Sequence, residues 1–115
     1  MSKNSGKAER IWQTVLAIPE SKVCSYGKVA DLAGLPGRAR YVSRAMSLAP
    51  KTLKLPWYRV LRSNGQLAFR NDSPMARKQS ELLKREGVIV CNNRVDMATY
   101  EWQPELGEIL SKLEF

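Results

Sequence analysis

Between Tyr26 and Leu48, two short apolar-striped segments flank Gly34-Leu35-Pro36-Gly37, a stretch built for a turn and closed to a continuous helix. The first segment, Tyr26–Ala33, turns Val29, Ala30 and Ala33 inward, and Gly34 ends it. The second runs from about Arg38 to Leu48, with Tyr41, Val42, Ala45, Met46 and Leu48 as its inward face. On another of its faces Arg40, Ser43 and Ser47 recur at i, i+3 and i+7. Two short helices around a tight glycine-bearing turn, the second rich in Arg and Ser, match a helix-turn-helix. Any helical hairpin with a solvated face would share this spacing.

Charge weighs toward nucleic acid. Residues 1–62 carry 12 Lys or Arg against 3 acids, a net of +9, while residues 63–115 are at −1. An excess gathered in one half of the chain predicts a polyanion-binding face on it. At 115 residues, the sequence amounts to one domain able to build its own core.

The remaining elements follow from periodicity and punctuation. Ile11, Val15 and Ile18, widened by Trp12 and Leu16, predict a helix from about Asn4 to Ile18, capped by Asn4 or Ser5 and stopped by Pro19. Val23-Cys24-Ser25 reads as a short extended piece. Past a loop bounded by Pro50 and Pro56, the chain runs from Pro56 to Leu61 toward a hairpin-like turn at Ser63-Asn64-Gly65-Gln66. Leu67 to Phe69 then returns. Asp72 or Ser73 caps a helix from Pro74 to about Glu86, with Pro74 at its first position and Gly87 at its end. Val88-Ile89-Val90 is β-like, Asn92-Asn93 a turn, and Val95 to Trp102 a second strand. Pro104 opens a terminal helix with Leu106, Ile109, Leu110 and Leu113 apolar.

Several chemistries are excluded or disfavoured. The chain has no histidine, which rules out a Ser-His-Asp or Cys-His centre within it. Its two cysteines, Cys24 and Cys91, have no metal-site spacing, and two thiols are too few for a structural zinc. No metal or organic cofactor is expected. A core-forming chain with two isolated thiols suits a reducing cytoplasm. No apolar run approaches the ~18 residues of a membrane span, and MSKNSGKAER has no apolar stretch behind its charge. The expected location is cytoplasmic, at the nucleoid if the source is bacterial.

Specific residues narrow this further. In order, the chain has Ile18-Pro19, Tyr26-Gly27-Lys28-Val29-Ala30, Ala39-Arg40-Tyr41-Val42, Ala45-Met46, Pro56-Trp57-Tyr58-Arg59-Val60, Gly65, Leu82-Leu83 and Glu86-Gly87. Over about residues 8–90 this set resembles the DNA-binding, active-site domain of the O6-alkylguanine-DNA alkyltransferases. The resemblance implies a mainly helical fold with short strands, a single winged helix-turn-helix-like domain over 1–115, with about 95–115 as a C-terminal extension. One departure bears on the chemistry. The alkyltransferases carry Pro-Cys-His-Arg, whose cysteine takes the alkyl group; here Trp57 stands in its place and Tyr58 replaces the histidine. An indole offers no deprotonatable nucleophile near neutral pH. The pattern therefore resembles the alkyltransferase-like proteins, which bind alkylated DNA without repairing it and are linked to nucleotide excision repair.

That resemblance implies roles for individual residues. Arg40 is the finger that enters the stack through the minor groove when a base is extruded, a task suited to a flat, permanently charged guanidinium. Tyr26 crowds the phosphate beside the target nucleotide and borders its pocket, and Gly27 permits close backbone approach. Ser43, Ser47, Arg38 and Arg44 are expected on phosphates. Trp57 lines the lesion pocket, with the backbone carbonyls of Trp57 and Val60 placed to read the guanine amine. Tyr58, counted with Val60 among the pocket residues, also reaches toward Glu86, Arg59 holds the loop, and Arg70 sits over the flipped base. Ala49 replaces an asparagine that supports the motif in the family, and Thr52 replaces a proline that packs on the base.

The implied partner is duplex DNA containing O6-alkylguanine, bound by a monomer, since no heptad or dimer element is evident, with excision-repair proteins to follow. Two alternatives stand beside it. One is an alkyl-accepting enzyme using Cys24, Cys91 or Tyr58. The other is a sequence-specific or general DNA-binding regulator, a class usually dimeric.

Overall fold

The computed structural model describes residues 6–113. Helix α1 spans Lys7–Ala17. The expected caps Asn4 and Ser5 lie outside the described residues; Gly6 occupies the cap position, and its amide donates to the Glu9 carboxylate at 3.0 Å. Ile11, Thr14, Val15 and Ile18 are buried along one stripe, as the spacing requires.

Strand β1, Cys24–Ser25, leads directly into α2, Tyr26–Leu32, because the Ser25 hydroxyl accepts from the Lys28 amide and caps the helix. Gly34, at φ +78°, closes α2. Its amide bonds to the Asp31 carbonyl at 3.0 Å while the Leu35 amide bonds to that of Ala30 at 2.8 Å, and buried Leu35 completes this C-terminal motif. The chain then turns into α3, Ala39–Ser47. Val42 and Ala45 are buried against α1 and α2. Leu48, expected inward, is 60% exposed: it lies past the last helical turn, where the stripe no longer faces the core.

The segment Pro56–Leu61 departs from the expected hairpin arm. Trp57–Arg59 forms a single 3-10 turn, and β2, Val60–Leu61, pairs in parallel with β1, Cys24 opposite Val60. The Asn64-Gly65 turn does close, the Arg62 amide donating to the Gln66 carbonyl at 3.0 Å. The returning residues pair elsewhere, Leu67 donating to the Asn93 carbonyl at 2.9 Å and Gln66 bridging Arg94.

Helix α4, Pro74–Arg85, has Ser73 as its cap and Pro74 at its start. It leads to a small wing, β3 (Val90–Cys91) and β4 (Arg94–Val95), joined through Asn92 and Asn93 at φ 53° and 61°, the geometry of a two-residue hairpin turn. The strand expected from Val95 to Trp102 is instead two residues long. Asp96 caps a one-turn helix α5, Met97–Tyr100, through the Ala98 amide and Thr99 hydroxyl. Beyond it Trp102 donates its amide to the Val23 carbonyl at 2.7 Å and buries its ring in the α1–α3 core, so this part of the C-terminal extension completes the core. The terminal helix α6 is Leu106–Lys112, starting two residues later than expected. Leu113 is buried while Leu106 and Leu110 are exposed. The architecture is mainly helical with short strands, a helix-turn-helix flanked by a two-stranded wing.

Candidate nucleic-acid interface

Helix α3 presents its cations to solvent. Arg38, Arg40, Ser43, Arg44 and Ser47 are all exposed, and the Ser47 hydroxyl donates to the Arg44 carbonyl at 2.7 Å. Three ion pairs form among the described residues, and Arg59 alone of the first-half cations takes part. Arg38, Arg40 and Arg44 on α3 and its cap, and Lys51 and Lys54 beside it, thus have no ion-pair partner among the described residues. The helix is anchored from behind, the Trp12 indole N–H donating to the Ala45 carbonyl at 2.6 Å. Gly27 has nothing within 4 Å of where a side chain would start, which leaves open space at the head of α2.

Beside that face lies a cleft of about 510 Å³. Tyr26 supplies one wall, Ser43, Met46 and Ser47 of α3 another, and Lys51, Lys54 and Leu55 a third. Trp57, Phe69 and Met75 complete it. The Trp57 ring meets Phe69 edge-to-face at 6.0 Å between centroids and Tyr58 at 5.8 Å, so its orientation is fixed on two sides. Burial pushes the Tyr26 hydroxyl up, with the Arg62 charge opposing, so this wall carries a neutral phenol.

Beneath the cleft the Trp57 loop is tied at several points. Glu86 accepts from Tyr58 Oη at 3.0 Å, from Arg59 Nε at 3.1 Å and from the Ser21 amide at 3.0 Å, while Arg59 Nη1 donates to the Ile18 carbonyl at 2.8 Å. Gln79, fully buried on α4, donates to the carbonyls of Tyr58 and Val60 and accepts from the Ala68 amide at 3.0 Å. The Ala49 methyl cannot hydrogen-bond, and Gln79 supplies side-chain bonds to the motif loop from α4.

The sequence-predicted residues thus divide. Tyr26, Ser43, Ser47 and Trp57 meet in one cleft, with Arg40 and Arg44 exposed on the same helix. Tyr58, expected in the pocket, does not line the cleft, because its hydroxyl turns to Glu86 and forms one bonded node with Arg59 under it. Val60 is wholly buried, its carbonyl engaged by Gln79 and that of Trp57 by the Val60 amide. Arg70 does not line the cleft; it borders a neighbouring hollow beyond Phe69. Sequence reasoning missed Phe69, Met75, Lys51 and Lys54 as cleft walls, and Gln79 as the loop's support. Gln79 alone carried a signal, falling between Ala76 and Leu83 on the buried stripe of α4.

Cys24 is buried, which pushes its thiol up to about 12, whereas Cys91 is exposed on the wing. Neither lines the cleft.

Comparison with known proteins agrees with this geometry. Residues 7–88 match the family model of the 6-O-methylguanine DNA methyltransferase DNA-binding domain. A DNA base-flipping protein of Escherichia coli is 38% identical over 103 residues, covering 89% of this chain and 78% of that one. Alkyltransferase-like protein 1 of Schizosaccharomyces pombe is 34% identical, covering 83% and 93%. The crystal structure of S. pombe Atl1 with damaged DNA containing O6-carboxymethylguanine superposes at a TM-score of 0.76, with 30% identity over 85% of this chain and 95% of that one. With residues 7–88 matching that family model and relatives over 30% identical covered over most of their length, the chain belongs to the family of the 6-O-methylguanine DNA methyltransferase DNA-binding domain, among its alkyltransferase-like members.

Proposed function

We propose that this protein recognises O6-alkylguanine in duplex DNA, extrudes the altered nucleotide into the Trp57 cleft and holds it there without chemistry. The observation that carries the reading is the indole of Trp57 on the wall of a base-sized cleft beside an uncompensated cationic helix. Counterion release by Arg38, Arg40, Arg44 and the nearby lysines supplies affinity that is independent of sequence and sensitive to salt. A guanine alkylated at O6 pairs weakly, so extruding it costs less than the few kcal/mol of a sound base. Arg40 fills the vacated place in the stack while Tyr26 and Trp57 enclose the base. Relatives are named for base flipping and one is solved on O6-carboxymethylguanine DNA, which supports the same substrate class here.

No bond to the alkyl group forms on this reading. Trp57 has no nucleophile, burial keeps the Cys24 thiol protonated, and burial together with the Glu86 carboxylate raises the Tyr58 hydroxyl. The long-lived complex then marks the site for nucleotide excision repair proteins.

The test is binding to matched duplexes with and without O6-methylguanine at two salt concentrations, with intact-mass analysis of the same samples. Preference for the modified duplex with no mass gain supports the reading, and a stoichiometric gain of one alkyl group refutes it. Trp57→Ala should lower the preference more than the total affinity; an equal fall in both would make Trp57 scaffold.

A further inference from the structure

Three cations lie over aromatic rings among the described residues: Arg38 over Tyr41, Arg59 over Tyr58 and Lys112 over Trp102. Arg59 and Lys112 are also ion-paired, with Glu86 and Glu108, whereas Arg38 enters no ion pair among the described residues. Its guanidinium carbon stands 5.5 Å from the centroid of the Tyr41 ring, and the residue is exposed. Tyr41 is itself held. It packs half-buried against the core beneath α3, and its amide donates to the Arg38 carbonyl at 3.0 Å. Arg38 is thus a guanidinium set in place by a fixed ring, with its charge facing solvent. The flank of α3 on which this pair sits is distinct from the cleft. Ser43, Met46 and Ser47, at i, i+3 and i+4, wall the cleft. Tyr41 and Arg44, at i and i+3, form the other flank, and neither lines the cleft. Arg40 lies on the exposed side between the two flanks.

We infer that Arg38, seated on Tyr41, binds a phosphate of the strand opposite the extruded nucleotide, and that Tyr41 is its positioning residue. The contact rests on the reading that α3 enters a groove of the duplex and that the Trp57 cleft takes the extruded base. A groove has one strand on each wall. The cleft flank of α3 then meets the strand that carries the altered base, and the Tyr41 flank meets its complement, with Arg40 entering the stack between them. A guanidinium can keep its face on a ring while its edge offers two parallel N–H donors to phosphate oxygens. Holding that group in advance removes part of the ordering cost that a free arginine side chain meets on binding. The complementary strand is thereby gripped while the other strand is distorted.

A methylphosphonate scan of both strands tests it. Each phosphate near an O6-methylguanine is replaced in turn by an uncharged methylphosphonate. The duplexes are titrated with the wild type, Arg38→Gln, Tyr41→Leu, Tyr41→Phe and the double variant of Arg38→Gln with Tyr41→Leu. One position on the unmodified strand should weaken the wild type about tenfold and leave Arg38→Gln unaffected. On the fully charged duplex Arg38→Gln should lose about tenfold and flatten the slope of log K against log salt by about one. Tyr41→Leu should lose about threefold with the slope kept, Tyr41→Phe should match the wild type, and the double variant should bind like Arg38→Gln. Melting temperatures show whether the Tyr41 variants fold, and the scan with Arg38→Gln, a change at an exposed residue, decides the contact without them. The contact is overturned if the sensitive position lies on the strand carrying the altered base, or if every methylphosphonate costs Arg38→Gln as much as the wild type. The positioning role is overturned if Tyr41→Leu weakens Arg38→Gln as much as it weakens the wild type. Absence of any preference for modified DNA would remove the base-pocket reading, while a position on the unmodified strand whose cost vanishes in Arg38→Gln would still uphold the contact.

Discussion

Arg59 lays its guanidinium across the Glu86 carboxylate, with Nε 3.1 Å from each carboxylate oxygen and Nη2 on Oε2. The pair joins the turn that carries Trp57 to the C-terminal end of α4. Through Ser21 and the Ile18 carbonyl it also reaches the end of α1. Tyr58 adds its hydroxyl to the same carboxylate, and the node braces the loop.

Glu86→Gln should therefore destabilise the fold by about 2 kcal/mol near neutral pH, because it leaves a nearly buried guanidinium without its counter-charge. Burial by itself would raise the Glu86 carboxyl, but the bonds from Arg59, Ser21 and Tyr58 outweigh it and hold the group below 4.5. A carboxyl lowered on folding contributes stability above its unfolded value and loses it as pH falls through the folded one. The gap between wild type and Glu86→Gln should thus shrink on acidification below 4.5. Urea midpoints across that range check this, and a constant gap would contradict the ionised pair.

Gln79→Leu nearly conserves volume yet strips the Tyr58 and Val60 carbonyls and the Ala68 amide of their partner. Leaving buried backbone groups unpaired should cost about 2–4 kcal/mol in total. Preference for modified DNA should fall as well, since the loosened loop carries Trp57. Denaturant unfolding together with lesion binding measures both effects. A cost under about 0.5 kcal/mol would mean that water replaces the amide.

Gly65→Ala should destabilise by at least about 2 kcal/mol. At φ +89° a new Cβ would lie 2.3 Å from the Val95 carbonyl oxygen and 3.2 Å from Met97 Cγ. The wing would have to move away from the turn, and the hollow between Arg62 and Asn92 with it. Thermal unfolding shows the loss, and hydrogen exchange at Leu67 and Val95 should rise locally, since both amides bond across this junction.

What the sequence disclosed follows the range of the forces involved. Helices α1 to α4 were legible because period and stop are local, and Ser73, Gly34 and Gly87 stand within a turn of the ends they fix; Ser25, read only as extended, proved to be the α2 cap. The pairing of β2 was not, since its partner Cys24 lies in a distant part of the chain and Pro56 to Leu61 reads equally well as a hairpin arm. Val95 to Trp102 alternates at both ends, but the phase breaks at Met97-Ala98, which a strand reading passes over. Asp96 and Thr99, three residues apart and bonded, were the overlooked sign of a helical turn. At the site the family motif located Tyr26, Trp57 and α3. The walls given by Phe69 and Met75 depend on how α4 and the wing pack, which no local pattern encodes.

The two thiols should behave oppositely. Cys24 is fully buried with its thiol pushed up to about 12, while Cys91 is exposed. A native-state thiol titration at neutral pH should label one cysteine, and the unfolded chain two. Cys91→Ser should abolish native labelling and leave DNA binding unchanged. Fast native labelling of Cys24 would reveal an opening of the core beside β1, and would revive it as an alkyl acceptor.

Arg40 gives the sharpest test of base extrusion. It is exposed on α3, where it has no ion-pair partner among the described residues, and the Trp12–Ala45 bond fixes the helix behind it. On the proposed reading the helix fixes where the finger starts, so only the Arg40 side chain has to be ordered on insertion. Arg40→Ala should weaken binding to O6-methylguanine DNA by about tenfold and suppress the fluorescence rise of a reporter base opposite the lesion. Arg40→Lys separates charge from shape. An ammonium still reaches a phosphate but lacks the plane that stacks between bases. Lysine should therefore restore most of the affinity for unmodified DNA and little of the fluorescence. If lysine restores both, Arg40 is a phosphate contact, and the space left by the extruded base must be filled from another residue.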